Sequence, residues 1–163
     1  NYKNMADTEK LLKYAIDYLS KYNSSKKNLE NILKKRIMRM KLEKKYKYNL
    51  YNSIPLILEK LEKNNFVNDI DYTNSKIRSF ISMGKSRIYI KNYLFQKGID
   101  SIVIEKSLEE NDEKNSDWEI VAAKIFARKK NLKNNIHNNE KNLAKMARAG
   151  FNYQISKKIL EEI

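Results

Sequence analysis

Residues 26–47, "KKNLENILKKRIMRMKLEKKYK", hold ten Lys/Arg and two Asp/Glu. A cationic run of this density does one kind of chemistry well. It holds phosphate or carboxylate oxygens, and on a polyanion it gains free energy by releasing condensed counterions. Tyr46, Tyr48 and Tyr51 stand among or beside its lysines, where an aromatic face can stack on a base. Smaller basic groups follow, with Arg87 opening a later helical pattern and Arg128, Lys129 and Lys130 closing another. The competing explanation is compositional, because Lys and Asn are abundant and a net charge of +14 can be a solvated lysine face. The excess is uneven, however. Residues 1–65 carry 16 Lys/Arg against 7 Asp/Glu, residues 66–111 carry 7 against 6, and residues 112–163 carry 11 against 7. That clustering favours an anionic partner.

Catalytic residue types show no such concentration. His137 is the one histidine and lies in the Asn-rich "NLKNNIHNN", where a surface loop residue is expected. Cysteine is absent, so disulfides and thiolate metal sites are ruled out and a reducing compartment is permitted. "GKS" at 84–86 lacks the upstream glycine of a phosphate loop and reads as a helix cap. Glu109–Glu110 and Glu161–Glu162 suit polar helix faces or ends. A noncatalytic chain without metal or cofactor is expected.

The elements that carry these residues are helices. Three glycines and one proline leave too few turn signals for an all-β or loop-rich chain, so the fold class is all-α. No apolar run approaches the roughly 18 residues a membrane span needs. No signal-peptide pattern is visible, so a cytoplasmic location is expected. Leu11, Leu12, Ala15, Ile16 and Leu19 recur at three- and four-residue steps behind Asp7, a candidate cap. A second helix opens at Ser24 or Ser25 and carries Leu29, Ile32, Leu33 and Ile37. A third carries Ile54, Ile57, Leu58 and Leu61, with Pro55 expected in its first turn. Asn64 and Asn65 suit a helix exit, Asn68 or Asp69 an entry, and Tyr72, Ile77, Phe80 and Ile81 the next stripe. Ser86 can cap a helix over 87–97, with Ile102 or Val103, Ser107 and Leu108 on the one after it. "EENDEKNS" reads as a polar break, and Ser116 with Glu119 has the spacing of a capping box. Tyr14, Tyr18 and Tyr72 are expected to pack in the interior, and Trp118, at a helix start, to pack between repeats.

These helices group in threes. Shifting by 52 residues places Leu94 on Met146, Gly98 on Gly150, Ile99 on Phe151, Val103 on Ile155 and Leu108 on Leu160 without a gap. Ser86 stands eight residues before Leu94, and Ser25 eight before Leu33. Three tandem three-helix repeats are expected, over 1–65, 66–115 and 116–163, the first with a basic insertion. Gly98 and Gly150 read as corners where a left-handed residue ends one helix and the apolar residue behind it packs back, and Gly84 reads as a similar cap.

In this order and spacing, the segments resemble the RecX family of regulators of the RecA recombinase. "AIDYL" with Ser24, Ser25, Leu29, Leu33 and Arg36 is similar to the first family motif, and "NNFVNDIDYT" to the segment before the second. "GKSRIYIKNYLFQKGI" resembles the second motif and "LAKMARAGFNYQI" the third, in the form of the alphaproteobacterial branch. Thr73 stands where the family usually has Ala, Asn65 where Gly is common, and "KKRI" where many members keep a Lys-Gly-Phe corner.

The resemblance implies an elongated, curved molecule that binds the RecA–single-stranded-DNA filament. It implies restraint of strand exchange and ATP hydrolysis, and so regulation of DNA repair, recombination and the SOS response; a monomer is expected. On charge alone, the candidate contacts are Lys34, Lys35, Arg36, Arg39, Lys41, Lys44 and Lys45, with Arg87, Arg128, Lys129 and Lys130 in support. Two other readings stay open: a helical scaffold for a protein ligand, and a nonspecific nucleic-acid binder acting without RecA.

Overall fold

The computed structural model describes residues 2–163, with side chains from Met5 onward. The described residues form α1 (Tyr2–Lys21), α2 (Lys26–Arg39), α3 (Lys44–Lys63), α4 (Asp69–Ser82), α5 (Arg87–Gln96), α6 (Ser101–Lys114), α7 (Trp118–Lys129), α8 (Asn139–Arg148) and α9 (Tyr153–Glu162), with one 3-10 turn at Ile136–Asn138 and no strand. The 52-residue shift holds at the level of elements: α5 maps onto α8 end to end, and α6 and α9 begin at matching positions.

By compactness the chain forms two units. The first runs through Tyr72 and takes in Lys97–Ile99. In it α1, α2 and α3 pack on one another around Leu11, Ala15, Leu29, Leu33, Ile37, Leu50, Ile54 and Leu61, with Tyr14 and Tyr18 partly buried against them. Each fully buried aliphatic side chain contributes roughly 1.5–3 kcal/mol. The second unit holds Thr73–Gln96 and Asp100–Ile163. Its α7, α8 and α9 enclose Ala122, Ala123, Ala127, Leu132, Met146, Phe151, Ile159 and Leu160.

Several local expectations are corrected. Asp7 lies inside α1, not at its start, because nothing just upstream breaks the helix. Pro55 lies in the interior of α3, which already begins at Lys44. A proline there costs about 3 kcal/mol through a lost backbone bond. Burial of Leu50, Ile54, Ile57, Leu58 and Leu61 along one stripe outweighs that cost. Of the basic insertion expected over 37–52, residues 44–52 lie in the first half of α3. α6 continues through "EENDEK" to Lys114, shortening the polar break; Ser107 and Leu108 are buried as expected, but their buried partner one turn earlier is Ile104, while Ile102 is exposed. The Ser116–Glu119 capping box does not form, since Asp117 caps α7 without a side-chain bond.

The exits follow one pattern. Gly84, Gly98 and Gly150 all have positive φ, of 79°, 75° and 93°. At Gly150 the N–H donates to the Ala147 carbonyl at 2.9 Å, and the Phe151 N–H to the Met146 carbonyl at 3.1 Å. Asn65 (φ 59°) and Asn131 (φ 51°) make the same paired bonds, the asparagine standing in for glycine.

The corners are also held from outside. Ser25, the N-cap of α2, accepts the Asn28 N–H at 3.1 Å and donates to the Lys97 carbonyl at 2.7 Å, next to Gly98. Ser86 accepts the Tyr89 N–H at 3.2 Å and donates to the Ala149 carbonyl at 2.7 Å, next to Gly150. Behind each serine a carboxylate takes the next N–H: Asp69 accepts from Lys26 at 2.8 Å, and Glu119 from Arg87 at 3.2 Å. A Cβ on Gly98 would collide with the Lys27 side chain, and one on Gly150 with Ser86 Oγ. The glycines thus provide close approach as well as left-handed backbone.

Candidate functional site

The cationic run of residues 26–47 is divided by the fold. On α2, Leu29, Leu33 and Ile37 face the core at four-residue steps. Lys35 and Arg39 fall on the opposite side of that helix, and both are exposed. Neither makes an ion pair among the described residues. Lys34 and Arg36 lie on the flanks. Lys34 is paired with Glu30 at 2.9 Å, and Glu30 also holds Lys27 at 2.7 Å. The hydrogen bond from Lys27, then that from Lys34, keeps the Glu30 carboxyl below its ordinary range. The Arg36 guanidinium sits over the Tyr14 ring at 4.9 Å.

Helix α2 ends where Met40 turns extended, and the Lys47 ammonium donates to the Met38 carbonyl at 2.9 Å across the connection. Lys41 lies in that connection and is exposed. Lys44 and Lys45 occupy the first turn of α3, where the helix presents its positive end. Glu43 offers no side-chain cap there, and no acidic residue stands in that turn. Cations so placed are disfavoured within the fold and are favoured by an external anion. Among the tyrosines, Tyr48 is 67 % exposed, whereas Tyr46 and Tyr51 are half-buried and Tyr51 packs on the core. Met38, 64 % exposed, adds a second apolar surface side chain to this region.

The supporting residues differ in kind. Arg87 is engaged internally: it pairs with Asp112 and Glu119 and lies over the Trp118 ring at 5.0 Å. Trp118 is buried, and its indole N–H donates to Asp112 at 2.7 Å. Arg128, Lys129 and Lys130 are exposed at the end of α7, where the helix dipole favours cations, and Lys129 also donates to the Met83 carbonyl at 3.2 Å. Gly84 would bring a Cβ against the backbone of Phe126 and Ala122, so it too is a packing corner. Phe151 is buried against Phe126, ring centres 5.6 Å apart.

No cluster of three or more His, Cys, Asp or Glu able to hold a metal occurs among the described residues. His137 is exposed in the 3-10 turn, its N–H bonded to Asn135 Oδ1. No helix is long and apolar enough to cross a membrane among the described residues. What charge reasoning missed is the pair of serine–carboxylate clasps. The matched serine spacing pointed toward them, but Glu119 looked like a local cap.

No family model matches the chain. A protein of Myxococcus xanthus (strain DK1622) named "Regulatory protein RecX" is 30% identical over 155 residues, which cover 90% of this chain and 82% of that protein. The chain belongs to the RecX family. A RecX protein of Streptococcus gordonii is 43% identical over 61 residues, 37% of this chain and 24% of its own length. Among solved structures, RecX from Lactobacillus salivarius matches with a TM-score of 0.70 at 23% identity, covering 97% of both chains. A second crystal structure of regulatory protein RecX gives 0.72 at 20% identity, over 98% of this chain and 74% of that one. At such identities the structures attest the shared all-helical fold, and the Myxococcus relative attests the family. RecX proteins carry the name of regulators, so a regulatory role follows from membership.

Proposed function

We propose that this protein binds the RecA–single-stranded-DNA filament and restrains its strand exchange and ATP hydrolysis, thereby regulating recombination and DNA repair. Membership of the RecX family is the observation that carries this reading. The exposed cations Lys35 and Arg39 on α2, Lys41 in the connection, and Lys44 and Lys45 at the start of α3 support it. They give the first unit a face suited to phosphates or to acidic side chains of a filament. The three-helix repeats at 1–65, 66–115 and 116–163 are proposed as the modules that bridge successive filament subunits. The paired or ring-stacked cations Lys34, Arg36 and Arg87 are assigned lesser roles.

The test is RecA ATPase on single-stranded DNA with wild-type protein and with Lys35→Glu/Arg39→Glu/Lys44→Glu/Lys45→Glu. Inhibition by wild type that weakens and loses salt dependence in the variant supports the proposal. Equal inhibition by both across salt concentrations removes this face from the mechanism.

A further inference from the structure

A hollow of about 270 Å³ lies in the second unit, lined by Asn131, Leu132, Lys133, Asn135, Asn138, Lys141, Asn142 and Lys145. Three of its eight lining residues are lysines, four are asparagines, and none is acidic. Glu140 is the one carboxylate in the sequence from 131 to 145, and it does not line the hollow. None of the three ammonium groups meets a carboxylate among the described residues. Lys141 and Lys145, one helical turn apart on α8, share a face, and Lys133 approaches from the segment after α7.

The wall is built rather than accidental. Asn142 is 7 % exposed, and its amide donates to the Lys133 carbonyl at 3.1 Å, fixing the segment after α7 against α8. Asn131 sets that segment's direction through its left-handed backbone, with Leu132 buried behind it. α8 also opens here without a side-chain bond from Asn138, so its first amides remain unpaired by that cap. At about 30 Å³ per water the hollow holds an oxyanion and its remaining hydration. Three like charges held around one hollow repel each other, and an oxyanion with several acceptor oxygens relieves that repulsion.

We infer that this hollow is a phosphate-binding site, with Lys133, Lys141 and Lys145 as the charge-bearing donors. It involves none of the residues of the α2–α3 face. Its ligand is a phosphate group, supplied either by a nucleic-acid backbone or by a small phosphorylated molecule.

The experiment follows amide NMR shifts of the full chain during titration with inorganic phosphate, against chloride at matched ionic strength. Saturable shifts concentrated in residues 131–145 are expected, and Lys141→Ala/Lys145→Ala should weaken the affinity by about tenfold or more. Lys35→Ala/Arg39→Ala should leave it unchanged. Both lysines are exposed on a helix, so the fold should survive, which circular dichroism checks. Non-saturating drift that chloride reproduces, or an unchanged affinity in the α8 variant, overturns the site. A second arm uses a single-stranded oligonucleotide of about ten residues, within the usual span for such strands. If it moves the same amides and phosphate competes with it, the phosphate source is the nucleic-acid backbone. If phosphate saturates the site and the oligonucleotide leaves it unmoved, the source is a small phosphorylated molecule.

Discussion

Replacing Ser86 with alanine removes two bonds from one fully buried oxygen. Ser86 Oγ caps α5 by accepting the Tyr89 N–H, and it donates to the Ala149 carbonyl beside the Gly150 corner. Loss of a serine cap costs about 1 kcal/mol. Loss of the cross-helix bond costs a further ~1 kcal/mol, and more if the Ala149 carbonyl finds no water. The sum is about 2 kcal/mol, which for a chain of this length lowers Tm by roughly 4–8 °C. Urea unfolding followed by fluorescence of the single tryptophan, Trp118, reads the unit that contains the bond. Ser82→Ala is the control: its exposed hydroxyl bonds only within its own helix, and the expected change is within ~0.5 kcal/mol. Ser25→Ala should repeat the large loss in the first unit, because Ser25 makes the same pair of bonds. A Ser86→Ala loss no larger than that of the control would refute the clasp as a stabilising element.

Gly150→Ala places a Cβ at φ 93° and against Ser86 Oγ, so a loss of about 2 kcal/mol or more is expected from strain and displacement together. The double variant with Ser86→Ala should lose less than the sum of the two, and strict additivity in urea unfolding would contradict their contact. Asp69 provides a pH test. Burial, the larger effect, pushes its carboxyl up, the Lys26 N–H pulls it down, and Glu62 raises it further, so the native chain holds this proton more tightly than the unfolded one. Its contribution to stability therefore falls as pH rises from the ordinary carboxylate value through the raised one. Asp69→Asn keeps an acceptor for Lys26 and does not ionise, so its stability relative to wild type should improve across that window and level off above it. A difference constant with pH would contradict the assignment.

Helix content was legible because three glycines and one proline leave almost nothing else to build, and because stripes such as Leu29, Leu33 and Ile37 repeat at helical spacing. The 52-residue correspondence of α5 with α8 was legible through Gly98 and Gly150. Their corners are sequence-local, since a left-handed residue followed by an apolar one is a signal written in adjacent positions. Pro55 misled because local propensity favours a first turn, whereas Leu50 and Ile54, buried on the same stripe upstream of it, carry the helix past it. The clasps were only half legible. Ser86 is a local cap in sequence, but its bond to Ala149 spans 63 positions, and nothing in composition announces a contact of that range. At the charged site, counting located the lysines but not their partners. Lys34 and Arg87 look as available in sequence as Lys35 and Arg39, and only packing shows the first two paired with carboxylates. The hollow around Lys133, Lys141 and Lys145 was missed because those lysines are spread over thirteen positions of an Asn-rich stretch and gather only when α8 folds back.

The most direct measurement adds the protein to preformed RecA filaments on single-stranded DNA, and in parallel to bare DNA, and follows filament mass and ATP hydrolysis. The account predicts binding to the filament, with loss of filament and of hydrolysis at protein concentrations well below that of RecA. Binding to bare DNA alone, or to neither, would contradict it.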